Sequence, residues 1–210
     1  MKRQIAALFI LLVCNCQVLS AGSGPEIKYI TDPDKKNYEA CIRALDKICA
    51  DKLNGSNSWS KWMKANNIDK PKLLKIWGSI EKGENEPVAV GLRLCVALDG
   101  ALSETSMQSV RQSIETNPAG FLRAFQDFIN ALTKAGKANE EEFYAGGVIY
   151  GLMYDYLDEP ARKLEALKKR KTLIQKVGDK DLLDIKDKVL KYLDEGIKET
   201  QSDIKAANSH

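Results

Sequence analysis

Apolar residues recur along this chain at spacings of three and four, the period of a helix with one buried face. Tyr38, Cys41, Leu45, Ile48 and Cys49 keep that spacing, as do Leu73, Leu74, Trp77 and Ile80, and Leu182, Ile185, Val189, Leu193 and Ile197. The punctuation between the runs is helical too. Asp32-Pro33 reads as N-cap and first helical residue, Asn54-Gly55 as a stop, and Asp69 as a cap with Pro71 in the first turn. Asn117-Pro118 opens a further run through Phe121, Leu122, Phe125, Phe128, Ile129 and Leu132. No segment alternates with period two, and no hairpin turn separates β-branched runs. The pattern predicts an all-α, single-domain helical bundle of about eight helices.

Two stretches are more apolar than the rest. Residues 88–102 are interrupted only by Arg93 and Asp99 among charged side chains. Residues 140–157 begin with three acids, Glu140, Glu141 and Glu142, where the helix dipole favours negative charge, and then carry none until Asp155. A helix apolar on every side is expected to be covered by protein all round. Gly147 and Gly151, four apart, share one face and admit a close neighbour. These two stretches are therefore expected to be the core helices, packed against each other.

The N-terminus has a different grammar. Lys2 and Arg3 precede a continuous apolar run over residues 5–13, and small residues follow in Val18-Leu19-Ser20-Ala21-Gly22. This is the layout of a secretory signal peptide, 1–21, and is too short for a spanning helix. A retained anchor is one alternative. A lipoprotein acylated at Cys14 or Cys16 is another, although Val13 and Asn15 stand where a small residue is expected. Behind the leader, residues 22–31 read as a flexible tether with Gly22, Gly24 and Pro25 as breakers, 32–201 as the helical domain and 202–210 as a frayed tail. The expected location is exported, in a bacterial periplasm or outside the cell.

Export changes what the cysteines mean, because disulfides persist outside the cytoplasm. Cys41 and Cys49 would stand about 12 Å apart on one helix, too far to bridge. A bridge would use Cys95, with Cys49 or alternatively Cys41. The other reading is three buried thiols acting as small apolar residues. The cysteine spacing is not a zinc pattern and the single histidine, His210, is terminal, so no metal site or cofactor is expected.

Charge narrows the partners. The formal net charge is +3, and removing Lys2 and Arg3 with the leader brings it to +1. Nucleic acid is not an expected partner at that balance. The run Lys168-Lys169-Arg170-Lys171 sits among acids and reads as a solvated helix face. No segment of the mature chain has the apolar length of a membrane span.

Candidate chemistry is sparse. No packed histidine base, phosphate loop or dinucleotide fingerprint is present. Asp99 and Asp155 each interrupt an apolar helix and could pair in a shared pocket, the arrangement glycan cleavage needs; each is equally a helix-end carboxylate at a solvent edge. Gly147, Tyr150, Gly151 and Tyr154 could line a ligand pocket or simply pack. Trp59 and Trp62 share a helical face and form either a partner patch or a cap over the bundle. Asn54-Gly55-Ser56 matches an N-glycosylation acceptor. The leading expectation is an exported, non-enzymatic protein-interaction module that binds another protein, an immunity-type inhibitor of a toxic enzyme being one form. The alternatives are a small-molecule or lipid binder at the Gly/Tyr helix and a carboxylate-dependent glycan hydrolase.

Overall fold

A computed structural model describes residues 24–33, 35–151 and 159–207. Among them are ten α-helices and no strand: α1 (Pro25–Thr31), α2 (Lys35–Leu53), α3 (Ser58–Ala65), α4 (Lys70–Glu81), α5 (Asn85–Ala97), α6 (Gly100–Thr116), α7 (Pro118–Lys134), α8 (Glu141–Ala145), α9 (Pro160–Gln175) and α10 (Leu183–Ala207). Two 3₁₀ turns, Ala138–Glu140 and Lys180–Leu182, and a π-turn, Gly146–Tyr150, lie between them.

The centre of the bundle is α5. Every residue from Pro87 to Ala97 is buried, Arg93 included, and α2, α4, α6 and α7 pack around it. Gly91 sets how close two of them come. A Cβ there would stand 2.7 Å from Ile80 Cδ1 and 2.8 Å from Val110 Cγ2, so α4 and α6 approach α5 more nearly than a larger residue permits. Two caps behave as their residues predict, whereas Asp32, expected to open a helix, ends α1 with its N–H on Lys28 O. Asp69 accepts from Lys72 N at 3.1 Å. Asn117 Oδ1 accepts from Gly120 N at 2.9 Å, while its Nδ2 donates to Gly83 O at 2.8 Å, so one side chain starts α7 and ties it to the end of α4.

A second layer, α9 with α10, closes the bundle over α6 and α7. The basic run lies here. Lys169 and Arg170 both reach Glu115 on α6, at 2.5 and 3.3 Å, and Lys171 reaches Asp194 on α10 at 2.5 Å. These bases are spent on neighbouring helices.

Several expectations are corrected. The described residues form ten α-helices, where about eight are expected. Residues 25–31, expected within a tether, form α1, whose Ile27, Tyr29 and Ile30 are buried, and α10 runs on through Ala207. Neither expected core helix exists as one piece. Residues 88–102 are split between α5 and α6, because Leu98 is extended and Asp99 turns its carboxylate onto Gly100 N at 3.0 Å; a short acidic side chain that bonds the backbone locally starts a helix better than it continues one. Within 140–157, the described residues, 140–151, are the end of a 3₁₀ turn, the short α8 and the π-turn, followed by Gly151 at φ +66°. In a continuing α-helix the carbonyls of Gly147 and Val148 would accept from residues 151 and 152. Arg111 of α6 donates to both, Nη2 to Gly147 O and Nε to Val148 O, each at 3.2 Å. A buried guanidinium with several donors outcompetes a glycine-rich segment of poor helix propensity. No helix among the described residues is long and apolar enough to cross a membrane. The expected signal peptide, 1–21, lies outside them.

Candidate functional site

The second half of α2 is flanked by two clefts. Asp46, Cys49, Ala50 and Leu53 occupy one face of α2 at helical spacing and meet Phe128, Ala131, Leu132, Lys134 and Ala135 at the end of α7. Between them lies a cleft of about 240 Å³ with Arg93 of α5 at its wall. Around the helix, Lys52 faces a second cleft of about 330 Å³, built by Cys95 and Leu98 of α5, the start of α6 from Asp99 to Met107, and Phe143 and Tyr144 of α8. The clefts share an aromatic partition. Phe128, on the first, meets Tyr144, on the second, edge to face with ring centroids 6.4 Å apart. Phe143 stands edge-on to Tyr144 at 5.1 Å and is 61% exposed, an unusual position for a large aromatic ring.

The charges around this face are largely internal. Arg93 Nε donates to Asp46 Oδ1 at 2.7 Å and Nη1 to Ala89 O at 3.0 Å. Lys52 Nζ donates to Leu98 O, the carbonyl at the end of α5, and lies 4.2 Å from the centroid of the Trp59 ring. Burial lowers the Lys52 pKa, opposed by the nearby Asp99 carboxylate. Burial pushes the Tyr144 phenol up to about 12, with Cys49 and Glu140 adding to it.

The residues singled out from sequence are scattered. Asp99 is exposed as the N-cap of α6 and borders the second cleft; Asp155 and Tyr154 lie outside the described residues. The glycine face is occupied. A Cβ on Gly147 would stand 2.8 Å from Met107 Sδ, and one on Gly151 would stand 2.9 Å from Arg111 Nη1. Tyr150 packs on α10, where a Cβ on Gly196 would fall 2.5 Å from Tyr150 Cβ. Trp62 turns inward, its Nε1 donating to Glu26 Oε1 at 3.1 Å, while Trp59 lies under Lys52. The two rings therefore serve different neighbours.

The expected disulfide is overturned. Cys41, Cys49 and Cys95 are all buried, free thiols. Cys49 Sγ donates instead to Arg93 O at 3.3 Å. Burial pushes the Cys41 and Cys49 thiols up to about 12, with smaller charge effects, and raises Cys95 too. Thiols held protonated in this way pack as small apolar residues. Among the described residues no group of three His, Cys, Asp or Glu is placed to hold a metal ion.

Sequence reasoning missed Arg93, Lys52 and Phe143 as members of one face. A signal for Arg93 existed: a lone arginine inside an otherwise apolar helix needs a partner, and Asp46 supplies it from another helix. Nothing local marks Phe143, because its exposure depends on α8 ending after five residues. Comparison with family models, with curated proteins and with solved structures finds no match to this chain.

Proposed function

We propose that this chain is an exported protein-interaction module that holds another protein against the face formed by the two clefts beside α2. The observation that carries this reading is Phe143, 61% exposed on the wall of one cleft and one ring away from the other. Exposed aromatics next to apolar recesses are the usual anchors of protein interfaces. The recess sizes agree. Volumes of about 240 and 330 Å³ lie below or at the bottom of the range typical of small-molecule sites, roughly 300–1,000 Å³. They suit single side chains of a partner. Lys169, Arg170 and Lys171 of α9 are engaged by α6 and α10, which weakens the attraction of the basic run for a polyanion. An inhibitor that occupies a toxic enzyme in the exported compartment is one concrete form of such a module.

A photo-crosslinking residue placed at Phe143 in the cells that make the protein tests this directly. The expected outcome is one dominant crosslinked protein. A Phe143→Asp change in purified protein should leave its circular dichroism and thermal transition intact while abolishing capture of that protein. The same crosslinks from a probe at Leu183, an exposed apolar residue on α10, would show that the α8 face has no special role.

A further inference from the structure

Arg93 is buried in the middle of α5, and its guanidinium is incompletely used. Nε serves Asp46 and Nη1 serves Ala89 O, whereas Nη2 donates to no group among the described residues. No fully buried side-chain nitrogen or oxygen there lacks a partner, so Nη2 keeps some access to solvent, and Arg93 lines the first cleft. A guanidinium carries five N–H donors, and a half-used one beside an apolar recess is a strong place for an acceptor.

The recess selects among acceptors. Its walls are Leu53, Phe128 and Leu132, with Lys134 on the rim. Asp46 neutralises Arg93, and Lys134 leaves the mouth with a net positive charge, which favours an anion over a neutral carbonyl. One free guanidinium nitrogen is too few for a phosphate, whose recognition uses several convergent donors. A volume of about 240 Å³ holds a group the size of one large side chain.

We infer that the cleft between α2, α5 and α7 receives a carboxylate carried next to an apolar group on the bound partner protein, with Arg93 Nη2 donating to the carboxylate and Phe128 and Leu132 covering the apolar group. This rests on the protein-interaction reading above and specifies the chemistry of its anchor.

The minimal probes are 3-phenylpropionate and its neutral amide, titrated separately into the isotopically labelled chain and followed by NMR. The carboxylate should shift the Arg93 Nε–H and the methyls of Leu53 and Leu132, and should bind at least about tenfold more tightly than the amide, the factor a charge-assisted hydrogen bond supplies. Ala131→Trp fills the recess from the α7 wall and should remove both responses. Arg93→Met should remove only the preference for the acid, if it folds. Equal affinity of acid and amide, or shifts confined to other surfaces, would overturn the assignment. So would micromolar binding of the free acid, which would make the cleft a small-molecule site. Failure here alongside a specific Phe143 crosslink leaves the interaction reading standing; a responsive cleft with no crosslinked partner does the reverse.

Discussion

At the scale of single residues, burial without chemistry is the main theme, and the cysteines state it most directly. The folded chain keeps the Cys41 and Cys49 thiols protonated up to about pH 12, against 9.0 for a free thiol. A raised acid pKa means that the folded state holds its proton when the unfolded chain has lost it. The stabilisation is complete below pH 9 and fades as pH rises from 9 towards 12. Unfolding free energy should therefore fall across that window, and more shallowly in Cys49→Ala; parallel falls would exclude a thiol contribution. At neutral pH a thiol reagent should label Cys41, Cys49 and Cys95 only after denaturant is added. The glycines make the same point sterically. Gly147→Leu should cost about 1–3 kcal/mol by overpacking onto Met107. Gly196→Ala should cost a similar amount for a much smaller side chain, because the neighbour is the stiff root of Tyr150. Unchanged denaturant midpoints for both would mean that these faces are open.

At the scale of elements, the segment from Ala138 to Gly151 shows how a neighbour decides secondary structure. Its acids lie where a helix start wants them, and two of its stays are on α10: Lys188 reaches Glu141 at 2.8 Å and the Tyr192 hydroxyl donates to Glu141 Oε1 at 3.0 Å. Arg111 then occupies the carbonyls that a longer helix would use, and π-turns of this kind tend to mark functional places. Here the consequence is positional: α8 stops early and leaves Phe143 outside. Arg111→Met should destabilise the protein by about 1–3 kcal/mol, the cost of buried carbonyls losing their donors. It should also speed amide exchange in residues 144–150 before the rest of the chain. Exchange that accelerates uniformly would show that Arg111 supports the core in general and not this turn.

At the scale of the whole molecule, two layers meet through charge as well as through apolar contact. Glu115 of α6 lies nearly enclosed between Lys169 and Arg170 of α9. Glu115→Gln should destabilise by about 1–3 kcal/mol, less than for a fully dry pair because Lys169 is exposed. Hydrogen exchange should rise in α9 and α10 while α5 stays protected; loss of protection in α5 at the same denaturant concentration would show one indivisible unit. Much of this architecture is legible along the chain. The three-and-four spacing predicts α2, α4, α7 and α10, and Asp69 and Asn117 cap the helices that their positions indicate. Local chemistry is sufficient there, because caps and amphipathic faces are written within a few residues. The candidate site was not legible. Its Arg93, Lys52, Phe128 and Phe143 come from four helices and share no spacing, and the disulfide expectation failed because cysteine content and compartment say nothing about how two Cβ atoms point. By itself the sequence determined the all-helical class and the places where most helices begin. The tertiary structure alone decided where α8 stops, which glycines are filled and which aromatic ring is left in solvent, since each of those depends on a side chain supplied by a distant segment: Arg111 to the π-turn beyond Phe143, and Met107 to Gly147.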